Sequence, residues 1–375
     1  MGCDPMKIGI LTFYRVPNYG AMLQAYALWK YLERRGHHVE FIDYAFPNVK
    51  RIPLWRCFVS RSLKGFRVKL RTYVRYPITA FAQSYPQSKL CATCSELHEV
   101  CKAYDAVIVG SDQMWNPQWV MPILDVVFLG CLPEKCRRIA YASSFGVKMW
   151  QRGEQEKVAQ LLKKFTAISV RETTGVEIVR GLGCPDVQQM LDPTLLWTAD
   201  FYKQLMVRKQ KTEDYLFAYF LDEWADGAEE QACINACVSV TGLTKVRRDR
   251  EPVLGCLALL CLVLQIRTKP PLPEWIECVA NADFILTNSF HGTVFAILFH
   301  RPFITLLLTG TAGAMNERVV SLLSLVGLED RMIYAKDTGC VAKLARDTEI
   351  NWSTVDRRLV EKREEVIRFL EKCEL

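Results

Sequence analysis

A histidine at the break between two hydrophobic runs is the residue of this sequence best placed for chemistry. In NSFHGT (288–293), His291 follows an apolar run and precedes a second one, GTVFAILFH. If the runs are a strand and a helix, the unpaired N–H groups of the helix start favour an anion. Ser289 and Thr293 add hydroxyls, Gly292 permits close backbone approach, and a histidine exchanges protons near neutral pH. The stretch predicts an anion site with an acid–base residue; the alternative is a histidine that only caps the helix.

Two further turns follow runs that are typical of buried strands. In RVPNYGAM, Asn18 and Gly20 permit a tight turn beside Tyr19, at a helix start that offers N–H groups. In VGSDQMWN, Asp112 follows a Gly-Ser pair, and its carboxylate could orient a sugar hydroxyl or act as a base. The alternatives are an ordinary turn for the first stretch and an N-cap aspartate for the second.

Two arginines are candidates for binding an anion. Arg171 ends the run ISVRE, where its planar guanidinium could clamp a carboxylate or a phosphate. Its neighbour Glu172 offers a local ion pair as the alternative. Arg318 lies in the first turn of a helix that Asn316 is expected to cap, and it points either into a cleft or at solvent.

The composition excludes several classes of protein. The chain has 375 residues, 50% hydrophobic and 24% charged, which fits a two-domain globular protein. Its net charge of +7 suits an anionic small substrate or a membrane surface. No dense basic block with interleaved aromatic residues marks a nucleic-acid partner, and no apolar run reaches the roughly 18 residues of a spanning helix.

The fifteen cysteines are expected to be reduced thiols of a cytoplasmic protein. Their number is odd, the chain is long and no export signal is visible. Cys91 and Cys94 form one CxxC, but a zinc site usually needs a second such pair. No metal site is therefore predicted.

The hydrophobic pattern predicts a doubly wound α/β fold. KIGILTF, LQAYALWKYLERRG and HHVEFIDY are typical of a strand, a helix and a strand, and similar alternations continue along the chain. Polarity rises over 198–214, which indicates a boundary between Rossmann-like domains at 1–205 and 206–375. The second domain ends in a charged amphipathic helix. A cleft between two such lobes is the expected place for a ligand.

Two regions fit this pattern less well. Residues 47–90 are basic and aromatic, which predicts either a solvated amphipathic helix or an excursion that faces the acceptor or the membrane. Residues 245–270 pass from KVRRDRE to a long apolar run with neither strand nor helix period. We expect a buried apolar segment there.

Six motifs in order carry a resemblance to a known family. They are GILTFYRVPNYGAMLQAYAL, VIVGSDQMWN, ISVRE, LDPTLLW, ADFILTNSFHGTVFAI and NERVVSLLSLVGL. Together, over about residues 7–335, the sequence resembles the polysaccharide pyruvyl transferases. The resemblance implies a GT-B-like fold and a transferase that moves a pyruvyl group from phosphoenolpyruvate to a sugar of a cell-surface polysaccharide or of its lipid-linked precursor.

The resemblance also implies roles for the candidate residues. His291 matches the histidine of the family's Ser-x-His-Gly segment and is the expected general acid/base, with Asp112 assisting on the acceptor side. Arg171, Arg318 and the amides of 292–294 would hold the anionic donor. Neither a metal nor a cofactor is expected. The protein would work in the cytoplasm or at the inner face of the membrane, with a peripheral membrane contact; no oligomeric state is predicted.

The sequence departs from the family pattern at two places. Asn288 stands where relatives often carry an aspartate, and residues 245–270 differ from the usual connection before PEWIE. Two other functions therefore remain open. One is a glycosyltransferase of the same fold that uses a nucleotide sugar, and the other is a non-catalytic relative.

Overall fold

Two parallel β-sheets flanked by helices form two lobes in series, as the sequence predicts. The computed structural model describes residues 4–47, 54–60, 62–150, 153–207, 211–221, 227–249, 251–252, 255–263 and 267–375. The first sheet takes its strands from residues 7–189, and the second sheet takes its strands from residues 216–334. The α/β class with two Rossmann-like, GT-B-like lobes is confirmed.

The first lobe carries a six-stranded sheet in the order β2-β1-β3-β4-β5-β6, with every pair parallel. Its strands are β1 (Lys7–Leu11), β2 (His38–Phe41), β3 (Ala106–Val109), β4 (Arg137–Ser143), β5 (Ala167–Val170) and β6 (Gln188–Gln189). Its helices are α1 (Tyr19–Arg34), α2 (Leu54–Phe58), α3 (Leu63–Arg75), α4 (Cys94–Cys101), α5 (Pro117–Val120), α6 (Leu124–Val127), α7 (Gln155–Leu162), α8 (Thr173–Gly181) and α9 (Ala199–Lys203).

The second lobe carries a five-stranded parallel sheet in the order β13-β12-β11-β7-β8. In chain order the strands are β7 (Leu216–Tyr219), β8 (Val246–Arg248), β9 (Glu251–Pro252), β10 (Arg267–Thr268), β11 (Phe284–Thr287), β12 (Phe303–Leu307) and β13 (Met332–Tyr334), and β9 pairs only with β10, as a separate antiparallel ribbon. The helices are α10 (Gly227–Thr241), α11 (Ala258–Val263), α12 (Leu272–Ala280), α13 (Phe290–Leu298), α14 (Glu317–Val326), α15 (Thr338–Arg346) and α16 (Trp352–Lys372).

Helix α1 shows how the local sequence sets an element boundary. The pattern predicts a helix from Leu23, but α1 begins four residues earlier at Tyr19. The side chain of Asn18 accepts a hydrogen bond from the N–H of Ala21 and so caps the helix. The cap brings the start of α1 to the carboxyl end of β1, where parallel sheets place their ligands.

The terminal helix α16 packs on the first lobe as well as the second. Its Val366, Phe369 and Leu370 are buried in a core that both lobes share. Arg363 Nε donates to the carbonyl oxygen of Leu195 at 2.7 Å, and Arg137 of β4 forms an ion pair with Glu374 at 2.6 Å. The helix that we assigned to the second domain therefore also packs on the first domain and stabilises the contact between the two.

The segment 245–270 differs from its expectation. Leu259 and Val263 of α11 are 74% and 72% exposed, so the prediction of a buried apolar segment is wrong. Cys261 is buried against Leu70 and Val74 of α3, and Leu257 and Leu260 are half-buried against the same cluster. Parts of this segment (250, 253–254 and 264–266) and of 47–90 (48–53 and 61) lie outside the described residues.

Two cysteines are joined, contrary to the expectation of reduced thiols throughout. Cys94 and Cys131 form a disulfide between α4 and the turn after α6. Cys91, the other member of the CxxC, is buried and separate. Within the described ranges, no group of three or more His, Cys, Asp and Glu side chains is arranged to hold a metal ion. Nor does any helix among them have the length and apolar character to cross a membrane.

Candidate active site

A cleft of about 560 Å³ opens between the carboxyl ends of the two sheets. Both lobes line it. The first lobe contributes Asn18, Asp112 and Gln113, with Arg71 and Arg75 of α3 at one side, and the second contributes Lys269, Ser289, Phe290, His291 and Arg318. The charged side chains of the cleft are therefore mainly cationic, with Asp112 as the carboxylate among them.

His291 occupies the first turn of α13, directly after β11. Ser289 is the N-cap, and its Oγ accepts from the N–H of Gly292 at 3.3 Å. The imidazole is 8% exposed and reaches across to the first lobe. Its Nε2 lies 3.6 Å from Oδ2 of Asp192, and its Nδ1 faces Gly20 at the start of α1.

Asp192 is a central residue that the sequence reasoning missed. Its carboxylate is fully buried after β6. Its Oδ2 accepts hydrogen bonds from Arg171 Nη1 at 2.7 Å and from Ser111 Oγ at 3.2 Å. Its Oδ1 accepts two hydrogen bonds from Thr194, one from the N–H at 3.0 Å and one from Oγ1 at 2.6 Å. The signal was available in the motif LDPTLLW, where an aspartate follows a strand, although no role was assigned to it.

The environment keeps Asp192 ionised. Burial alone would raise the pKa of its carboxyl group. The contacts with His291, Arg171 and Thr194 outweigh burial and hold that pKa well below its usual range. A buried carboxylate beside Nε2 orients the imidazole. The ring of His291 is therefore held at the wall of the cleft.

Arg171 positions the site from behind the cleft. Its side chain is 2% exposed. The guanidinium carbon lies 4.4 Å from the ring centroid of Phe290, and Nη2 lies 3.9 Å from Oδ1 of Asp112. The alternative of a local ion pair with Glu172 is wrong, because Glu172 accepts instead from the N–H groups of Phe145 and Gly146. Arg171 thus holds Asp192 in place within the first lobe, and its contact with Phe290 reaches the second lobe.

Arg318 is the cation best suited to meet an anion. It lines the cleft, and its Nε donates to the carbonyl oxygen of Met315 at 3.2 Å. No carboxylate of the described residues lies within ion-pair distance of it. Burial, together with the charge of Arg171, lowers the pKa of Arg318 to about 10. Keeping the buried guanidinium of Arg318 charged therefore costs free energy, and an anion bound in the cleft would offset that cost.

Lys269 is a second residue that the sequence reasoning missed. It follows β10, its Nζ lies 3.3 Å from Asp249 Oδ2, and only 9% of its side chain is exposed. Tyr19 supports this loop, since its hydroxyl donates to the carbonyl oxygen of Pro270 at 2.5 Å and its ring lies 5.4 Å from Nζ. Lys269 lies in the atypical segment 245–270, where no local pattern marked it.

Asp112 and Asn18 lie in the cleft wall. Asp112 adopts a left-handed backbone with φ of 64°, and its Oδ1 accepts from the N–H of Gln113 at 2.8 Å. It does not cap a helix, because α5 begins later and is capped by Asn116. Its carboxylate is 16% exposed, on the first-lobe side of the cleft.

Three predicted ligand residues have structural roles instead. A Cβ on Gly292 would lie 2.3 Å from Thr287 Oγ1, so this glycine permits packing of α13 on β11. Thr293 Oγ1 bonds within the core, to the carbonyl oxygen of Ser289 and to Thr305. Asn316 uses both amide atoms on the backbone of Leu308 and caps no helix with its side chain.

The helix-start amides also differ from the prediction. The N–H groups of Gly292 and Thr293 donate to Ser289 and are already used. The amides of the first helical residues, Phe290 and His291, precede them in the same turn. Asn288, the departure from the family pattern, accepts the N–H of Leu221 through Oδ1 at 2.7 Å. An aspartate could accept the same bond, so this contact does not depend on the change.

Gly20 offers a test of how tightly His291 is held. A Cβ at this position would lie 1.9 Å from His291 Nδ1, so Gly20→Ala must displace the imidazole. We expect kcat/KM to fall about 100-fold, the cost of a displacement of about 1 Å at a reacting group. The control is Gly181→Ala, where nothing lies within 4 Å of the added carbon. Equal activity of the two variants in a steady-state assay would show that this close approach does not position His291.

The sequence matches the polysaccharide pyruvyl transferase family over residues 18–308. That span begins at the cap of α1 and includes Asp112, Arg171, Asp192 and His291. No curated protein sequence is significantly similar to the chain.

Solved structures share the two-lobed architecture. The UDP-GlcNAc 2-epimerase from Methanocaldococcus jannaschii has a TM-score of 0.51 at 13% identity and covers 98% of this chain and 99% of its own. The UDP-GlcNAc 2-epimerase from Neisseria meningitidis bound to UDP-GlcNAc has a TM-score of 0.51 at 10% identity and covers 98% and 100%. At these identities the similarity shows the fold alone.

Proposed function

Because the chain belongs to the polysaccharide pyruvyl transferase family, we propose that it transfers a pyruvyl group from phosphoenolpyruvate to a sugar of a cell-surface polysaccharide or of its lipid-linked precursor. The observation that carries the proposal is the pairing, in one cleft, of a carboxylate-backed histidine with a buried arginine that has no described ion-pair partner. The donor is a small, highly charged anion with one carbon that must be protonated. The cleft supplies a cation for the charge and a proton carrier for the carbon.

The reaction assigns these groups distinct tasks. An acceptor hydroxyl bonds to C2 of the donor and loses its proton, while C3 gains a proton. A second hydroxyl of the same sugar then replaces phosphate at C2, and a ketal results. His291 is the proposed proton donor to C3, and its charge in the protonated form is stabilised by Asp192. Asp112 is the proposed acceptor-side base.

The cations bind the donor in this proposal. Arg318 and Lys269 lie in the same cleft as His291, which belongs to the first turn of α13. Guanidinium and helix N-terminus both favour phosphate and carboxylate oxygens. As phosphate leaves with its charge, these groups stabilise it.

The direct test is release of phosphate from phosphoenolpyruvate. We expect release only when a soluble glycoside with two neighbouring free hydroxyls is also present, together with a pyruvate ketal on that glycoside by mass spectrometry. A panel of glycosides covers the unknown acceptor. Thermal stabilisation by a nucleotide sugar, with none by phosphoenolpyruvate and no phosphate release, would instead support the glycosyltransferase alternative.

Arg318→Gln tests the anion-binding role. Loss of a charge-assisted hydrogen bond, worth about 1.5–3 kcal/mol, should raise KM for phosphoenolpyruvate about 10- to 100-fold. The melting temperature of the unliganded protein should not fall, because burial lowers the pKa of Arg318 and so opposes its charge. Arg180→Gln, at an exposed site on α8, is the control. An unchanged KM with a lower melting temperature would make Arg318 a structural residue.

A further inference from the structure

Six large hydrophobic side chains form an exposed apolar surface beside the cleft. Trp55, Phe58, Val59 and Leu63 come from α2, α3 and the turn between them, and Leu259 and Val263 come from α11. The two sets belong to different lobes. They meet where Cys261 packs against Cys57, Leu70 and Val74 in a small separate core. An exposed apolar patch of this kind marks an interaction surface.

The same region is strongly basic. Between Asp43 and Glu96 the sequence has ten Lys or Arg residues and no Asp or Glu. On α3, a basic stripe at helical spacing consists of Lys64, Arg67, Arg71 and Arg75, and Lys64 and Arg67 are exposed. Trp55 at the apolar surface lies under the guanidinium of Arg56, 5.3 Å from the ring centroid. Tryptophan beside basic residues is typical of groups that lie at a membrane interface.

The basic stripe connects this surface to the cleft. The cleft is also lined by four residues of α3 that lie about one to three turns along the helix from Lys64: Val68, Arg71, Thr72 and Arg75. From the second lobe, Thr268 Oγ1 donates to the carbonyl oxygen of Val74 at 3.1 Å, next to Lys269. A planar surface docked on the apolar residues would therefore lie at the opening of the candidate active site.

We propose that the exposed apolar surface and the basic stripe dock the protein on an anionic phospholipid bilayer, and that the acceptor is a sugar carried on a lipid in that bilayer. The charge favours a bilayer over a protein partner, because the surface is uniformly basic and anionic headgroups are uniformly acidic. The apolar side chains enter the boundary between the lipid headgroups and the acyl chains, and the basic side chains contact the lipid phosphates. The lipid-linked acceptor rests on the proposed function; the docking does not.

Vesicle flotation of the full chain tests the docking. We expect the protein to float with vesicles of phosphatidylglycerol and phosphatidylcholine, poorly with phosphatidylcholine alone, and less as salt rises from about 0.1 M to about 0.5 M. Lys64→Glu with Arg67→Glu should lower binding to the anionic vesicles at least about 25-fold, since each surface charge contributes roughly five-fold. Trp55→Ser with Phe58→Ser and Leu259→Ser should lower it at least about tenfold.

Matched controls separate the surface from general effects. Two double variants change exposed residues elsewhere on the protein: Lys163→Glu with Lys164→Glu, and Tyr334→Ser with Val360→Ser. Both variants should float like the wild type. No flotation of the wild type, or equal flotation of all variants, would overturn the proposal. So would a wild-type dimer that the Trp55 variant converts to a monomer, because the surface would then join two copies.

The outcome is independent of the proposed reaction. The Lys64 and Arg67 variant should keep its turnover with a soluble glycoside, because neither residue lines the cleft, and lose turnover with a lipid-linked acceptor in vesicles. Flotation without any phosphate release would reject the proposed function and leave the docking standing. Phosphate release without flotation would reject the docking and leave the proposed function standing.

Discussion

Replacing His291 by glutamine is expected to lower kcat for phosphate release by about 10²- to 10⁴-fold, the usual contribution of a general acid–base residue. Glutamine retains a polar side chain of similar length but cannot carry the proton that C3 requires. The donor is held mainly by Arg318 and Lys269, so the affinity for phosphoenolpyruvate should change less than tenfold. Steady-state kinetics and a binding isotherm with phosphoenolpyruvate measure the two effects separately.

The matched control for this variant is His300→Gln. His300 follows α13, is exposed and shares a hydrogen bond of 2.9 Å with Asp356, away from the cleft. It should leave both kcat and binding unchanged. Full turnover of the His291 variant would remove this residue from the chemistry. A parallel loss of binding and stability would instead show that His291 holds the two lobes together.

Asp192→Asn is expected to damage both stability and catalysis. The substitution leaves Arg171 buried without its 2.7 Å partner and His291 without a carboxylate. Removing one member of a buried ion pair typically costs about 3–5 kcal/mol of unfolding free energy. Because the carboxylate that orients the imidazole of His291 is lost, kcat should also fall. Denaturant unfolding and a pH–rate profile measure the two effects.

The pH dependence of stability gives a further signature of Asp192. Its pKa is depressed in the folded protein, so its stabilising effect is complete above the ordinary aspartate pKa of about 3.9. That effect decreases as the pH falls below this value and the carboxylate is protonated on unfolding. The stability difference between the wild type and Asp192→Asn should therefore narrow in acid.

Asp200→Asn is the control for both measurements. Asp200 is 82% exposed and pairs with Lys203 on the surface of α9. A surface pair contributes about 1 kcal/mol or less, so this variant should unfold and turn over like the wild type. A stability difference for Asp192→Asn that stays constant into acid would show that packing, and not the charge, accounts for its effect.

Prediction from sequence succeeded for the elements, and the site residues remain predictions. The strands before Asn18, Asp112 and His291 are short apolar runs, and the turns after them carry polar residues. These are local patterns, and in parallel sheets they bring the turns to one edge. Gly292, Thr293 and Asn316 belong to the same local patterns, but their neighbours in the fold use them for packing and internal hydrogen bonds. Residue type and spacing cannot distinguish these two uses.

The sequence by itself determined the α/β class, the two lobes and the βα turns that hold His291 and Asp112, because hydrophobic period and helix caps act between near neighbours in the chain. Only the tertiary structure decided which charges meet. Asp192 and Arg171 of the first lobe contact His291 and Phe290 of the second, and Lys269 enters the cleft from a segment without regular period. These contacts depend on how the lobes pack. The free-energy cost of burying a charge then selects the partners, and no local pattern encodes that cost.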